Sequence, residues 1–181
     1  MSCEIVVGEG VVLAVWGKPK KEDIDRVIEQ LQLAVAQSGG PVVYITRVPE
    51  DAPAPEPIVR TYLNKIMPQV TALCSTYHVV LEGTGFLAAV KRGILVGLFQ
   101  IGGRRDTFFV TATIDEVKKN VEPERQLSTR ALLIRAEARG LLHGPARTTL
   151  PPFDRHLEAT SRSGVRAAPT FPENIADVNY R

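Results

Sequence analysis

The chain has 181 residues, 44% of them hydrophobic and 23% charged, with a formal charge of +2. That composition belongs to a globular domain, and so small a charge gives no reason to expect nucleic acid as a partner. A single core usually occupies about 100 to 150 residues, so the length predicts one domain with an extension.

Cys3 to Val7 and Val11 to Trp16, separated by Gly8-Glu9-Gly10, predict a β-hairpin at the start of a sheet. Gly17 to Lys21 turns the chain, and Pro19, Glu22 and Asp23 suit a helix start, where a missing N–H is tolerated and acidic groups meet the positive end of the dipole. Ile24, Val27, Ile28, Leu31, Ala34 and Val35 then form one apolar stripe, and Gly39-Gly40-Pro41 ends the helix. Val42 to Thr46 is a compact strand. Arg47 to Glu56 holds Pro49, Pro53 and Pro55 among acidic residues and predicts a stiff, exposed loop. Pro57 opens a second helix whose apolar positions Ile58, Val59, Tyr62, Ile66, Val70 and Leu73 continue past Pro68.

Ser75 to Val121 organises the rest. Thr76 to Glu82 is β-branched and aromatic and runs into Gly83-Thr84-Gly85, the pattern of a central strand entering a tight turn. Phe86 to Ile101 predicts a helix buried on most sides; Lys91 and Arg92 break the apolar run, which falls short of the roughly 18 residues a membrane span requires. Gly93 and Gly97 predict close approach of another backbone to that helix. Thr107 to Thr113 returns as a strand, and Thr113 with Glu116 forms a capping box for a helix over Ile114 to Val121. The expected core is Val79, Leu81, Val90, Ile94, Leu98, Phe108 and Val110, each worth about 1.5 to 3 kcal/mol if fully buried.

Residues 123–142 read as an appended amphipathic helix, with Leu127, Ala131, Ile134, Ala138 and Leu141 on its docking face. From residue 143 to 181 no periodic pattern survives, and five prolines among Arg, Ser and Thr predict an extended or disordered arm that orders against a partner or a second subunit. Residues 1–122 are thus the α/β domain, a mixed sheet with helical crossovers.

No convergent acid, base and nucleophile set is visible, so a non-enzymatic role is expected. Gly83-Thr84-Gly85 lacks the lysine of a phosphate loop and the third glycine of a dinucleotide turn, and reads as a plain turn. Cys74 and His78, and the tail residues His143, Asp154, His156 and Glu158, have no ligand spacing, so neither metal nor cofactor is expected. Arg104 and Arg105 read as a charged turn, and Lys18, Lys20 and Lys21 as a solubilising run. The absence of a basic and apolar leader places the protein in the cytoplasm with Cys3 and Cys74 reduced.

This order of elements resembles the STAS domain of sulphate-transporter tails and anti-sigma-factor antagonists, and in particular small stand-alone STAS-like proteins of deltaproteobacteria. The similarity covers roughly residues 4 to 121 and rests on Val11 to Gly17 with the Pro19 turn, the Val42 to Thr46 strand and its proline-rich exit, Tyr77 to Leu81, Lys91 to Gln100, and Phe108 to Lys118. In the antagonists a serine at the start of the helix after the third strand is phosphorylated by a partner kinase. Here Thr46 to Thr61 holds Asp51 but no serine, and Thr61 is the one hydroxyl of that stretch on the helix, a turn inside it. The resemblance implies a regulatory module that binds a protein partner or self-assembles. Its expected contacts are Arg47, Asp51 and Arg60 around loop 47–57, with Phe171, Ile175 and Tyr180 as anchors on the arm. The alternative is a small-ligand or lipid-binding module with a pocket beside helix 86–101.

Overall fold

Glu9 and Gly10 turn the chain between β1 (Cys3–Gly8) and β2 (Val11–Trp16), which pair antiparallel from Gly8 and Val11 outward, with Gly10 at φ 66°. The computed structural model describes residues 2–86, 88–90, 92–93 and 107–142. The remaining strands are β3 (Val42–Val48), β4 (Cys74–Leu81) and β5 (Phe108–Thr111). Each pairs parallel with its predecessor, and strand order across the five-stranded mixed sheet equals chain order. The fold is α/β, and β4 is interior to the sheet as its β-branched sequence predicts.

Strands laid down in one direction and joined by right-handed crossovers place their helices on a common face. The helices α1 (Lys21–Ser38) and α2 (Pro57–Ala72) follow that rule: Ile24, Val27, Ile28, Leu31, Ile66 and Val70 share one core with Val12, Ala14, Tyr44 and Val79. The alternate strand residues Val11, Leu13, Val43, Ile45 and Val80 face the other way, as a period of two requires. They are covered by α4 (Ile114–Asn120) and α5 (Gln126–Ala138), which a single 3₁₀ turn at Pro123–Arg125 connects. Residues 85–86, 88–90 and 92–93 are helical and form the described part of α3. Among the described residues no helix is long and apolar enough to cross a membrane.

Local chemistry fixes the ends of these elements. The backbone N–H of Lys20 donates to Asp23 Oδ2 at 3.0 Å, while Asp23 Oδ1 accepts from Ser2 Oγ at 2.8 Å and Arg26 Nη2 at 3.0 Å. One carboxylate thus starts α1 and ties it to the N-terminal strand, which explains an acidic residue buried at a helix start. Gly39 closes α1 at φ 71°, its N–H donating to Val35 O at 3.0 Å. Thr113 Oγ1 accepts from Glu116 N at 3.3 Å, as the capping pattern predicts, although the Glu116 carboxylate accepts from Ala112 N–H and not from that of Thr113. Helix α2 runs through Pro68, which lies on its exposed side.

Two expectations are corrected. The docking face of α5 is Thr129, Leu132, Leu133 and Ala136, whereas Leu127, Ala131, Ile134 and Ala138 are exposed, so the helix turns the opposite side to the sheet; of the expected face, Leu141, beyond α5, is buried in the second core. Its apolar residues are spread around the axis, and fit against β1 and β2 selects among them. In α3, Phe86 and Val90 are exposed, Gly93 has open space where a Cβ would stand, and only Ala88 is buried, so the described part of this helix lies on the surface and not in a core. Of the remaining expected core, Val79 is buried and Leu81, Phe108 and Val110 are partly buried. Ile94, Gly97 and Leu98 lie outside the described residues.

Candidate functional site

Parallel strands deliver their exits to one edge of a sheet, and in α/β folds that carboxyl edge is where loops can be shaped without disturbing the core. Here the edge is built by the Gly17–Lys20 turn after β2, the loop 49–56 after β3, and the 82–84 turn after β4. The loop is held at several points. Ala52 N–H donates to Pro49 O at 3.1 Å. Lys18 Nζ and Glu56 Oε1 pair at 3.0 Å across to the β2 exit. Glu50 Oε1 accepts from Thr84 N–H at 3.4 Å, so a side chain of the protein occupies the turn amide that an anion would need. Gly83 and Gly85 have φ 124° and 83°, conformations that favour glycine, which accounts for this turn without a phosphate.

Arg47 is placed differently from the expectation. It is 4% exposed. Its Nε and Nη2 donate to the two carboxylate oxygens of Glu82 at 2.7 Å each, and Nη1 donates to Leu141 O at 2.7 Å. A guanidinium buried beside the apolar second core is stable only when its donors are matched in this forked way, so Arg47 is an internal clamp joining β3, β4 and the chain beyond α5. Asp51 and Arg60 are exposed as expected, with no ion pair to either among the described residues. The Thr61 hydroxyl is exposed and donates to Pro57 O at 3.1 Å, within the first turns of α2. Phe171, Ile175 and Tyr180, with Arg104, Arg105, His143 and His156, lie outside the described residues.

Sequence reasoning missed two apolar features of this edge. Ile58, in the first turn of α2, is 77% exposed, and Phe86, in the first turn of α3, is 81% exposed. Behind the loop lies an apolar cavity of about 290 Å³ between the sheet and the helices α1 and α2. Among the described residues, none of α3 lines it.

The chain matches no family model, no curated protein and no solved structure.

His78 is the remaining chemically notable group. It is fully buried on the second face of β4, its ring stacked on Phe109 at 4.9 Å between centroids, and neither ring nitrogen has a hydrogen-bond partner among the described residues. Burial pushes its pKa down to about 4, because a charged imidazolium there would lose hydration with no counter-charge among the described residues. Cys74 Sγ donates to Val70 O at 3.1 Å, and burial pushes the Cys3 thiol up to about 12, so neither cysteine is set up as a nucleophile. No group of three or more metal-ligating side chains occurs among the described residues.

Proposed function

We propose that the chain is a non-catalytic regulatory module of the cytoplasm that binds a protein partner, or a second copy of itself, through the carboxyl edge of its sheet. The observation that carries this reading is the exposure of Ile58 and Phe86 at 77% and 81%. Both stand in the first turns of helices that follow neighbouring parallel strands, which brings them to the same edge. Large apolar side chains gathered in water are the usual mark of a contact surface, and Asp51 and Arg60 give it a charged rim. The prolines of loop 49–56 lower the ordering cost of binding. The resemblance to anti-sigma-factor antagonists supports the same edge, since their partner kinase acts at the start of the equivalent helix. Thr61 is then the hydroxyl nearest the antagonists' phosphorylated position, and Phe171, Ile175 and Tyr180 are further anchors beyond the domain.

The test is affinity capture read by mass spectrometry, with sedimentation velocity for self-association. Full-length protein is compared with the Ile58→Asp/Phe86→Asp double variant and with a form ending at Leu142. Loss of one defined partner, or of the dimer, in the double variant with an unchanged Tm is the expected result. Partners retained by the double variant would remove this edge from the mechanism, and loss on truncation alone would move the contact to the C-terminal residues.

A further inference from the structure

The apolar cavity behind loop 49–56 is separate from the exposed surface just described. Its floor is the first sheet face, with Trp16, Tyr44, Tyr77 and Val79, its wall is α1 and α2, and Pro53 and Pro55 close it on the loop side. Among the described residues, no charged side chain lines it. Polar character enters at the floor, where Thr46 Oγ1 donates to the Tyr77 hydroxyl at 3.4 Å beside the stacked rings of Tyr44 and Tyr77, 4.8 Å apart. Thr46 is 5% exposed, so its hydroxyl meets the cavity and not bulk water. The rings stay protonated: burial pushes Tyr77 up to about 12 and Tyr44 well above its ordinary value. A larger groove of about 660 Å³ lies between α4 and α5, but its mixed lining, with Asp115, Lys118, Arg130 and Glu137, selects no ligand chemistry.

We propose that this cavity is a binding site for a neutral, mainly apolar small molecule carrying one hydroxyl or carbonyl group, with that group at Thr46 and the apolar body against Trp16 and Met67. Size sets the class. An apolar cavity of about 150 Å³ accommodates benzene, so one of about 290 Å³ takes roughly ten to twelve non-hydrogen atoms. Charge narrows it: a carboxylate or ammonium would be stripped of water with no opposite charge among the described lining residues, and Lys18, next to the lining residues Gly17 and Pro19, is already paired with Glu56. The same pair joins two sides of the cavity, since Gly17 and Pro19 on one side and Pro53 and Pro55 on the other all line it. Breaking it should speed entry and exit together and leave affinity nearly unchanged, because an exposed pair holds little energy.

The chain carries two native reporters. Trp16 is its one tryptophan, and Met67 is one of only two methionines, the other being Met1. Full-length protein is titrated with 1-octanol and, at pH 8, with octanoate, following Trp16 emission and the ¹³C-labelled methionine methyl signals. The expected result is a saturable response of Trp16 and Met67 with Met1 unmoved, octanoate binding at least about tenfold more weakly, and Thr46→Val weakening octanol about three- to tenfold. No saturable response up to the solubility limit of octanol, or equal shifts of Met1 and Met67, overturns the site. Octanoate binding as tightly as octanol overturns the neutral class, and unchanged affinity in Thr46→Val overturns the placement of the polar group. Binding that survives the Ile58→Asp/Phe86→Asp double variant is expected, which keeps this result independent of the protein-binding reading.

Discussion

Acid should destabilise this protein through His78 before its carboxylates titrate appreciably. The folded state holds the imidazole neutral with a pKa near 4, whereas the unfolded chain protonates it at the ordinary value of 6.5. Below pH 6.5 the unfolded state therefore binds more protons, and stability falls as pH falls, until the folded state also protonates near pH 4. The interval between those values, at about 1.36 kcal/mol for each pH unit, corresponds to a total loss of about 3 kcal/mol. Between pH 7.5 and pH 5.5 the same linkage gives about 1.4 kcal/mol, a window in which ordinary carboxylates stay ionised. With a urea slope of roughly 2 kcal/mol/M, the midpoint should drop by about 0.7 M. His78→Leu keeps an apolar side chain against Phe109 and removes the titration, so its midpoint should be nearly flat over the same interval. Parallel curves for wild type and variant would refute the reasoning, since a partnered or hydrated His78 would carry no such penalty.

Three further outcomes follow from the packing. Arg47→Met should lower stability by about 3 kcal/mol in urea unfolding, because Glu82 and the Leu141 carbonyl lose their partner, and Arg47→Lys should restore little of it, since an ammonium cannot fork across a carboxylate. Leu132→Ala should cost about 2 to 5 kcal/mol and Ile134→Ala less than about 0.5 kcal/mol, the two midpoints reporting which side of α5 meets the sheet. Gly93→Ala should raise the midpoint by an amount equivalent to about 0.5 to 1 kcal/mol, since a methyl group there meets open space and alanine favours the helix; a lower midpoint would mean that another backbone does come close.

Much of the architecture was legible because its signals are local. The period-two runs, the Gly39 stop, the Thr113 cap and the α1 stripe each record a choice made within a few residues, and each element appears where they place it. The face of α5 was not legible. Leu127, Ile134, Leu132 and Leu133 are equally apolar in sequence, and contact with strands more than a hundred residues earlier decides among them. Arg47 was read as a surface charge because it follows a strand and precedes prolines; its partners Glu82 and Leu141 lie 35 and 94 residues away. The cavity was invisible for a similar reason, being the space left between side chains that each read as ordinary core. Ile58 carried a faint signal, since it directly follows Pro57 at the helix start, where the apolar stripe had yet to settle into register.

The coincidence of sheet order with chain order bears on how the protein emerges from the ribosome. Each strand can join the edge of the sheet already formed, and none has to wedge between two strands that have already paired. The second face obeys the opposite schedule. Val11, Leu13, Val43 and Ile45 are synthesised early, yet α5, which helps to cover them, leaves the tunnel about a hundred residues later. A nascent chain stalled before Gln126 would therefore hold a partly assembled sheet with part of an apolar side open to water. That interval is when its apolar surface is most open to aggregation.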